Sequence, residues 1–174
     1  LTIGSIIMTI KTRWWWIRHA PVINPEGKLY GQLDMNVDLS DSEKFKTLAR
    51  VLPDKAEWIT TSLTRAKETG RLLSEIIMSE AAVVECDNFL EQSFGDWEGS
   101  SWDDITPSAS KAFWKDPANN PIPNGESFAQ VVKRVSPTIE GLNNQYTGKD
   151  IIAVTHTGSI RAAIAHALGG DARA

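Results

Sequence analysis

Short apolar runs alternate with longer segments of helical hydrophobic spacing along most of the chain. The runs lie at 14–17, 58–61, 81–84 and 151–154. They are rich in β-branched or aromatic residues and too short for a stable helix. We therefore expect four strands that are covered on both faces, as in a parallel sheet.

The segments between these runs carry the signals of helices. Residues 40–43 form a capping box, Thr106 and Pro107 resemble a helix start, and Ser127 is a third N-cap. Pro137 lies inside the longest segment and is expected to kink or divide that helix. Apolar positions at helical spacing cover residues 45–52, 66–77, 107–114, 128–142 and 158–168.

Alternating strands and helices predict an α/β protein, with a three-layer α/β/α sandwich around a mainly parallel sheet. The 174 residues suit a single domain covering 1–174. Residues 1–7 are expected to lie outside the core fold, because Met8 and the residues after it resemble the start of a strand-first domain.

Composition narrows the classes of function. The chain is 41% hydrophobic, has 18 Lys and Arg against 22 Asp and Glu, and carries a formal charge of −4. This acidic balance disfavours a nucleic-acid partner, and no apolar run is long enough to span a bilayer. Cys86 is the only cysteine, which excludes an internal disulfide and fits a cytoplasmic location. A small molecule is the expected partner.

Polar side chains follow the strands where each strand ends. Arg18 and His19 follow the first strand, Arg65 follows the second, Glu91 follows the third after a short excursion, and His156 follows the fourth. Each residue alone has an ordinary structural explanation. Parallel strands share one carboxyl edge, where such folds bind ligands, so we expect these side chains to converge.

This combination suits phosphoryl transfer. Guanidinium groups match phosphate oxygens, and a neutral imidazole can take up phosphorus as a phosphohistidine. A second, protonated imidazole adds positive charge, and a carboxylic acid protonates the leaving alkoxide. No metal or other cofactor is then needed. A zinc site formed by His19, His156 and a carboxylate is the weaker alternative, because Arg18 and Arg65 would repel a cation.

Five segments, in order along the chain, resemble signatures of the histidine phosphatase superfamily, which has a phosphoglycerate-mutase-like fold. The segments are 18–20, 61–69, 90–99, 125–127 and 154–158. Ala20 stands where the family's Arg-His-Gly signature has glycine, and Thr157 replaces the glycine usual after the second histidine. The family usually continues into a further strand, so a C-terminal strand is expected to be missing here.

The resemblance implies a role for each matched residue. His19 would be the phosphorylated nucleophile, and Glu91 would be the proton donor and later the base. Arg18, Arg65 and His156 would hold the phosphoryl group. The substrate-binding residues implied are Tyr30, Gly31 and, through its backbone N–H, Thr157.

Segments 18–22, 30–34 and 94–99 are most similar to α-ribazole phosphatase-type members, whose substrate is a nucleotide-like monophosphate made during cobalamin assembly. This implies a phosphomonoesterase, with α-ribazole 5′-phosphate as one candidate substrate. A phosphoglycerate mutase-type isomerase and a non-catalytic phosphate-binding module stay open as alternatives, and so does a homodimer. Trp97 and Trp102 either stack on an aromatic substrate or anchor their loop.

Overall fold

The computed structural model describes residues 10–24 and 26–170. The expectation for residues 1–7 therefore lies outside the described residues. The strands are β1 (Arg13–Arg18), β2 (Ala56–Thr60), β3 (Val83–Glu85) and β4 (Asp150–Thr155). The helices are α1 (Ser42–Ala49), α2 (Thr64–Ile77), α3 (Pro107–Lys115), α4 (Phe128–Gln145) and α5 (Thr157–Ala167).

Within the described residues the strands form one parallel sheet in the order β1-β4-β2-β3. The register places Arg18 opposite Thr155 and Thr60 opposite Glu85, so the carboxyl ends meet along one edge. β4 lies between β1 and β2, and its residues from Ile151 onward are all buried. The predicted parallel α/β sheet is confirmed.

Helices cover both faces of this sheet. Phe45 of α1 and Leu73 of α2 pack on one face with Trp58. Val135 of α4 and Ala162 of α5 pack on the other face. Because side chains alternate across a strand, neighbouring residues of β2 and β4 contribute to opposite layers. The three-layer sandwich is therefore confirmed.

The tryptophans of β1 show why the strand is so aromatic. Trp14 and Trp16 stack at 4.8 Å between ring centroids and meet Phe89 edge-on, while Trp15 packs on the opposite face. All three are half-buried, because β1 is an edge strand in the described sheet. They are core residues, as the pattern indicates.

Two local features differ from the pattern-based expectation. The N-cap of α1 is Asp41, whose side chain accepts from the Lys44 N–H, instead of a capping box starting at Ser40. Pro137 does not divide α4, which runs unbroken past it. Pro137 faces solvent, so water can satisfy the carbonyl of Lys133 that its missing N–H leaves free.

Residues 92–127, here called the module, contribute most of a small hydrophobic core of their own. This core holds Leu29, Trp97 and Ile122, with Phe94 and Phe113 packed against them. None of the helices described in the structure has the length and apolar character that crossing a membrane would require.

Candidate active site

The ends of β1 and β4 bring two histidines together. The His19 N–H donates to the Thr155 carbonyl at 2.9 Å, which continues the strand pairing one residue beyond β1. His156 follows Thr155 directly, and the two imidazole centroids lie 5.2 Å apart. His19 is 6% exposed and His156 is fully buried, so the strand ends place two desolvated rings side by side.

The tautomer of His19 follows from its one hydrogen bond. Nδ1 lies 2.6 Å from the Ala20 carbonyl, which can only accept, so Nδ1 carries the proton. Nε2 therefore holds a lone pair, and it is buried without a hydrogen-bond partner in the described structure. Burial first, and then the charges of Arg65 and Arg18, lower the pKa of His19 from 6.5 to about 4, although the bond to Ala20 opposes the shift. At neutral pH this ring is a neutral nucleophile.

Ala20 stands where the family signature has glycine, and its backbone is held by a hydrogen bond to α2. Its N–H donates to Thr69 Oγ1 at 2.9 Å, and that hydroxyl donates to the Arg65 carbonyl at 2.7 Å. The Ala20 side chain is buried, and its methyl group fits the core. The carbonyl that orients His19 is thus tied to α2.

His156 is held by a residue to which the sequence patterns give no separate role. Its Nε2 lies 2.9 Å from Thr61 Oγ1, and its Nδ1 is buried with no partner among the described residues. Burial and then the charge of Arg65 lower the pKa of His156 far below its ordinary value. The free site thus contains a neutral ring. The imidazolium expected from the sequence requires a bound dianion to raise the pKa again.

Arg65 is a fully buried cation at the start of α2. Its Nη1 donates to the Leu33 carbonyl at 2.7 Å and its Nη2 donates to the Gly31 carbonyl at 2.5 Å. The remaining donor, Nε, is buried and makes no hydrogen bond with any described residue. Burial lowers the pKa of Arg65, and the nearby Tyr30 and Glu91 oppose this. The two carbonyls fix the guanidinium plane and leave Nε available for a ligand.

Three buried polar atoms of neighbouring residues have no hydrogen-bond partner among the described residues: His19 Nε2, Arg65 Nε and His156 Nδ1. Buried polar atoms nearly always have a hydrogen-bond partner. A lone pair beside a guanidinium N–H and a second ring nitrogen is an arrangement that a phosphoryl group would complete. The side chain of Arg18 is exposed at the end of β1, and its charge acts on both histidines.

Glu91 is buried next to the first turn of α5. Its Oε1 accepts from the Gly158 N–H at 2.7 Å and from the Gln92 N–H at 2.9 Å. Its backbone carbonyl accepts from Gln32 Nε2 at 2.8 Å and from Arg134 Nη2 at 3.0 Å. Both the side chain and the main chain of the predicted acid are thus held. Its other carboxylate oxygen makes no hydrogen bond to a described residue.

The three predicted substrate-binding residues lie close to Arg65 or His156. Thr157 is the first residue of α5, so its N–H is one of the donors a helix start leaves free. Gly31 holds Arg65 through its carbonyl, with φ +39°, and a Cβ there would collide with Glu98 Oε1. The Tyr30 ring lies 5.0 Å from Arg65 Cζ and lines a cavity of about 480 Å³ beside His19.

Arg134 and Glu126 support the loop of Glu91, and sequence reasoning gave them no role there. Arg134 donates from Nε and Nη2 to the two oxygens of Glu126, at 2.8 and 3.0 Å. It also bonds the Asn88 carbonyl, and Glu126 accepts from the Ser93 N–H at 3.0 Å. Glu126 lies in the helix-start segment that resembles the family. No sequence motif marks Arg134, because the Glu91 carbonyl that it binds is 43 residues away along the chain.

Among residues 10–24 and 26–170, no three His, Cys, Asp or Glu side chains are grouped closely enough to hold a metal ion. The zinc alternative thus finds no set of three ligands there. Independence from metals stays a prediction for solution tests.

Comparisons with known proteins indicate the family of this chain. Residues 14–174 match the model of the histidine phosphatase superfamily, branch 1. The protein named uncharacterized phosphatase PhoE, from Bacillus subtilis (strain 168), is 26% identical over 85% of this chain and 72% of its own length. A metal-independent phosphoserine phosphatase of Arabidopsis thaliana is 26% identical over 84% of this chain and 64% of its own length. The α-ribazole phosphatase of Shigella flexneri superposes with a TM-score of 0.79 at 27% identity, covering 92% of this chain and 82% of that chain.

Proposed function

The chain belongs to the histidine phosphatase superfamily, branch 1, and is a phosphatase, and we propose that it hydrolyses small organic phosphomonoesters through a phosphohistidine on His19 without a metal ion. One observation carries this proposal. The buried, unpartnered atoms of His19, Arg65 and His156 support it, because one anion beside the nucleophilic nitrogen would satisfy them.

In the first step, the lone pair of His19 Nε2 attacks phosphorus, and the bond from phosphorus to the ester oxygen breaks. The Nδ1 proton stays on the ring and keeps its hydrogen bond to the Ala20 carbonyl, so the phosphorylated ring is held in one orientation. Glu91, protonated at this stage, gives its proton to the leaving oxygen, and the alcohol departs. Arg65 Nε and His156 Nδ1 stabilise the charge on the transferring oxygens.

In the second step, water attacks the phosphohistidine and the N–P bond breaks. Glu91, now a carboxylate, takes the proton from this water and is restored as an acid. Inorganic phosphate leaves, and His19 returns to its neutral tautomer. The proton that Glu91 gives in the first step is recovered in the second, so the cycle balances.

For the substrate we propose a neutral or weakly charged alcohol portion, with α-ribazole 5′-phosphate as a candidate. The likeness to the Shigella α-ribazole phosphatase supports this choice. Segment 96–104 contains Asp96, Glu98, Asp103 and Asp104, and this acidity disfavours a highly charged sugar-acid phosphate. The same acidity favours hydrolysis over mutase-type isomerisation.

The decisive test is hydrolysis of p-nitrophenyl phosphate in EDTA, with wild type compared with His19→Ala. We expect phosphate release from the wild type and none above background from the variant. His166→Gln is the matched control, since His166 lies at the far end of α5, and should match wild type.

Rapid acid quenching with a ³²P-labelled ester should trap an acid-labile label on His19. Activity retained by His19→Ala, or a label on another residue, would refute the mechanism. Loss of all activity on adding EDTA would refute its metal independence. Isomerisation of phosphoglycerate faster than its hydrolysis would instead show the mutase.

A further inference from the structure

A second cavity lies beside the loop that carries Glu91. Its volume is about 490 Å³, within the range of about 300–1,000 Å³ common for small-molecule sites. The wall is formed by aromatic residues of the module at 92–127, by Phe128 at the start of α4 and by Arg161 of α5. The mechanism above uses none of these side chains.

Two tryptophans in this cavity are largely exposed to solvent. Trp102 is 48% exposed and Trp114 is 58% exposed, with ring centroids 6.2 Å apart. Trp97, by contrast, is buried and packs edge-on against Phe113 at 5.5 Å. Trp97 therefore anchors the loop, whereas Trp102 and Trp114 have faces on which another aromatic ring can stack.

Arg161 gives the cavity a positive charge. Its guanidinium lies 5.1 Å above the Phe128 ring, and it makes no ion pair or hydrogen bond with any described residue. A guanidinium held on an aromatic face keeps its edge N–H groups free, and their planar fork matches a carboxylate. The chemistry of the wall thus favours a ring that bears a negative group.

The cavity is linked to the catalytic acid from two sides. Gln92 follows Glu91 and donates its N–H to that carboxylate, while its side chain lines the cavity. Arg161 lies one helical turn beyond Thr157 and Gly158, and the Gly158 N–H binds the same carboxylate. The cavity wall therefore includes the residue that follows Glu91 in the chain and a residue one turn beyond the Gly158 N–H that binds the Glu91 carboxylate.

We propose that this cavity binds the leaving group of the substrate, and that this leaving group contains an aromatic ring on which a single anionic substituent would pair with Arg161. Trp102 and Trp114 stack on the ring. The inference rests on the proposed function, because it takes Glu91 as the acid that marks the leaving-group side.

The test compares three esters: 4-carboxyphenyl phosphate, phenyl phosphate and ethyl phosphate. Trp102→Leu and Trp114→Leu should each lower kcat/KM for both aryl esters about tenfold more than for ethyl phosphate. Arg161→Gln should lower kcat/KM for the carboxyphenyl ester about tenfold more than for the phenyl ester. Arg50→Gln removes an exposed arginine at the end of α1 and should leave all three values at wild-type level.

Equal losses for all three esters in the cavity variants would overturn the proposal, and so would unchanged values. Because two tryptophans are tested separately, misfolding of one variant, detected by circular dichroism, leaves the other to decide.

A binding measurement separates this inference from the proposed function. If wild type hydrolyses no ester, the phosphatase mechanism fails, but 4-hydroxybenzoate should still quench tryptophan fluorescence and lose affinity about tenfold in Arg161→Gln. Absence of saturable binding of 4-hydroxybenzoate to wild type would overturn the cavity assignment whatever the catalytic result.

Discussion

At the scale of single residues, the two nitrogens of His19 have separate tasks. Nδ1 orients the ring through the Ala20 carbonyl, and Nε2 is left free to react. Lowering the pKa keeps this nitrogen unprotonated, since an imidazolium has no lone pair to attack phosphorus. Burial and two arginines thus protect the nucleophile from protonation.

Nitrogen NMR should show this directly. In the free enzyme at pH 7 we expect His19 to be neutral with the proton on Nδ1, and to titrate with a pKa of about 4. The resonance is assigned by its loss in His19→Asn. A pKa near the ordinary 6.5, or a proton on Nε2, would contradict the nucleophile assignment.

Arg65 is expected to be irreplaceable even by another cation. Arg65→Lys keeps a charge but lacks the planar donors that bind two carbonyls and leave Nε free. An arginine acting on transferring phosphoryl charge is worth about 10³–10⁵ in rate. We expect kcat/KM for p-nitrophenyl phosphate to fall by about 10³ or more.

The matched control for this substitution is Arg71→Lys on the same helix. Arg71 is exposed and pairs with Glu68 and Glu75 at the surface, so its replacement should leave kcat/KM unchanged. Wild-type efficiency in Arg65→Lys would show that charge alone suffices there.

At the scale of elements, the start of α5 and the Glu91 loop form one unit. A Cβ at position 158 would collide with Glu91 Oε1 and lie 3.3 Å from the Gln92 backbone nitrogen. Gly158→Ala should therefore displace the acid, and kcat should fall toward the loss of about 10²–10⁴ that removing general acid catalysis brings.

Gly141→Ala on α4 provides the control. A Cβ there meets nothing within 4 Å, so this variant should keep its activity and gain about 0.4–1 kcal/mol in the free energy of unfolding. Urea unfolding and steady-state kinetics on both variants measure these effects. Equal activity in the two variants would argue that Glu91 does not need its present position.

The pair Arg134–Glu126 is expected to act through Glu91 and not on the substrate. Arg134→Gln removes the bonds to Glu126 and to the Glu91 carbonyl, and small misplacements of catalytic groups cost up to about 10²-fold. We expect kcat to fall while KM for p-nitrophenyl phosphate changes little. Lys133→Gln on the solvent face of α4 is the control, and a change confined to KM would contradict this role.

Local patterns and tertiary contacts differ in how well they can be predicted. Strand runs and the residues that follow them are local, so the shared edge with His19, Arg65 and His156 could be predicted. The contact of Arg134 with Glu91 depends on how α4 packs, and nothing in the spacing of these residues encodes it. The neutral state of His156 could not be predicted either, because burial decides it.

At the scale of the whole molecule, an acidic chain places four of its arginines at one edge of the sheet. The formal charge is −4, yet Arg18, Arg65, Arg134 and Arg161 all lie at or beside the carboxyl end of the sheet. Low-dielectric walls around such a cluster focus its field and raise the local concentration of anions.

Burial of the two histidines, together with the charge of nearby arginines, also makes stability depend on pH. In the unfolded chain His19 and His156 titrate near 6.5, whereas folding lowers the pKa of both. Below about pH 6.5 the unfolded state therefore binds more protons, and stability falls as pH falls. Each ring contributes up to about 1.4 kcal/mol per pH unit in this window, which for His19 ends near its folded pKa of about 4.

Urea unfolding of the wild type between pH 7 and 4.5 should thus show a declining free energy of unfolding, beginning before most carboxylates titrate. The double variant His19→Asn/His156→Asn carries neither ring and should show a flatter profile over the same range, whatever its absolute stability. Inorganic phosphate should restore part of the wild-type stability at low pH, because a bound anion favours the protonated form of His156 in the folded state. Parallel profiles for the two proteins would mean that these rings are not neutral in the native site, and the nucleophile assignment would fail with them.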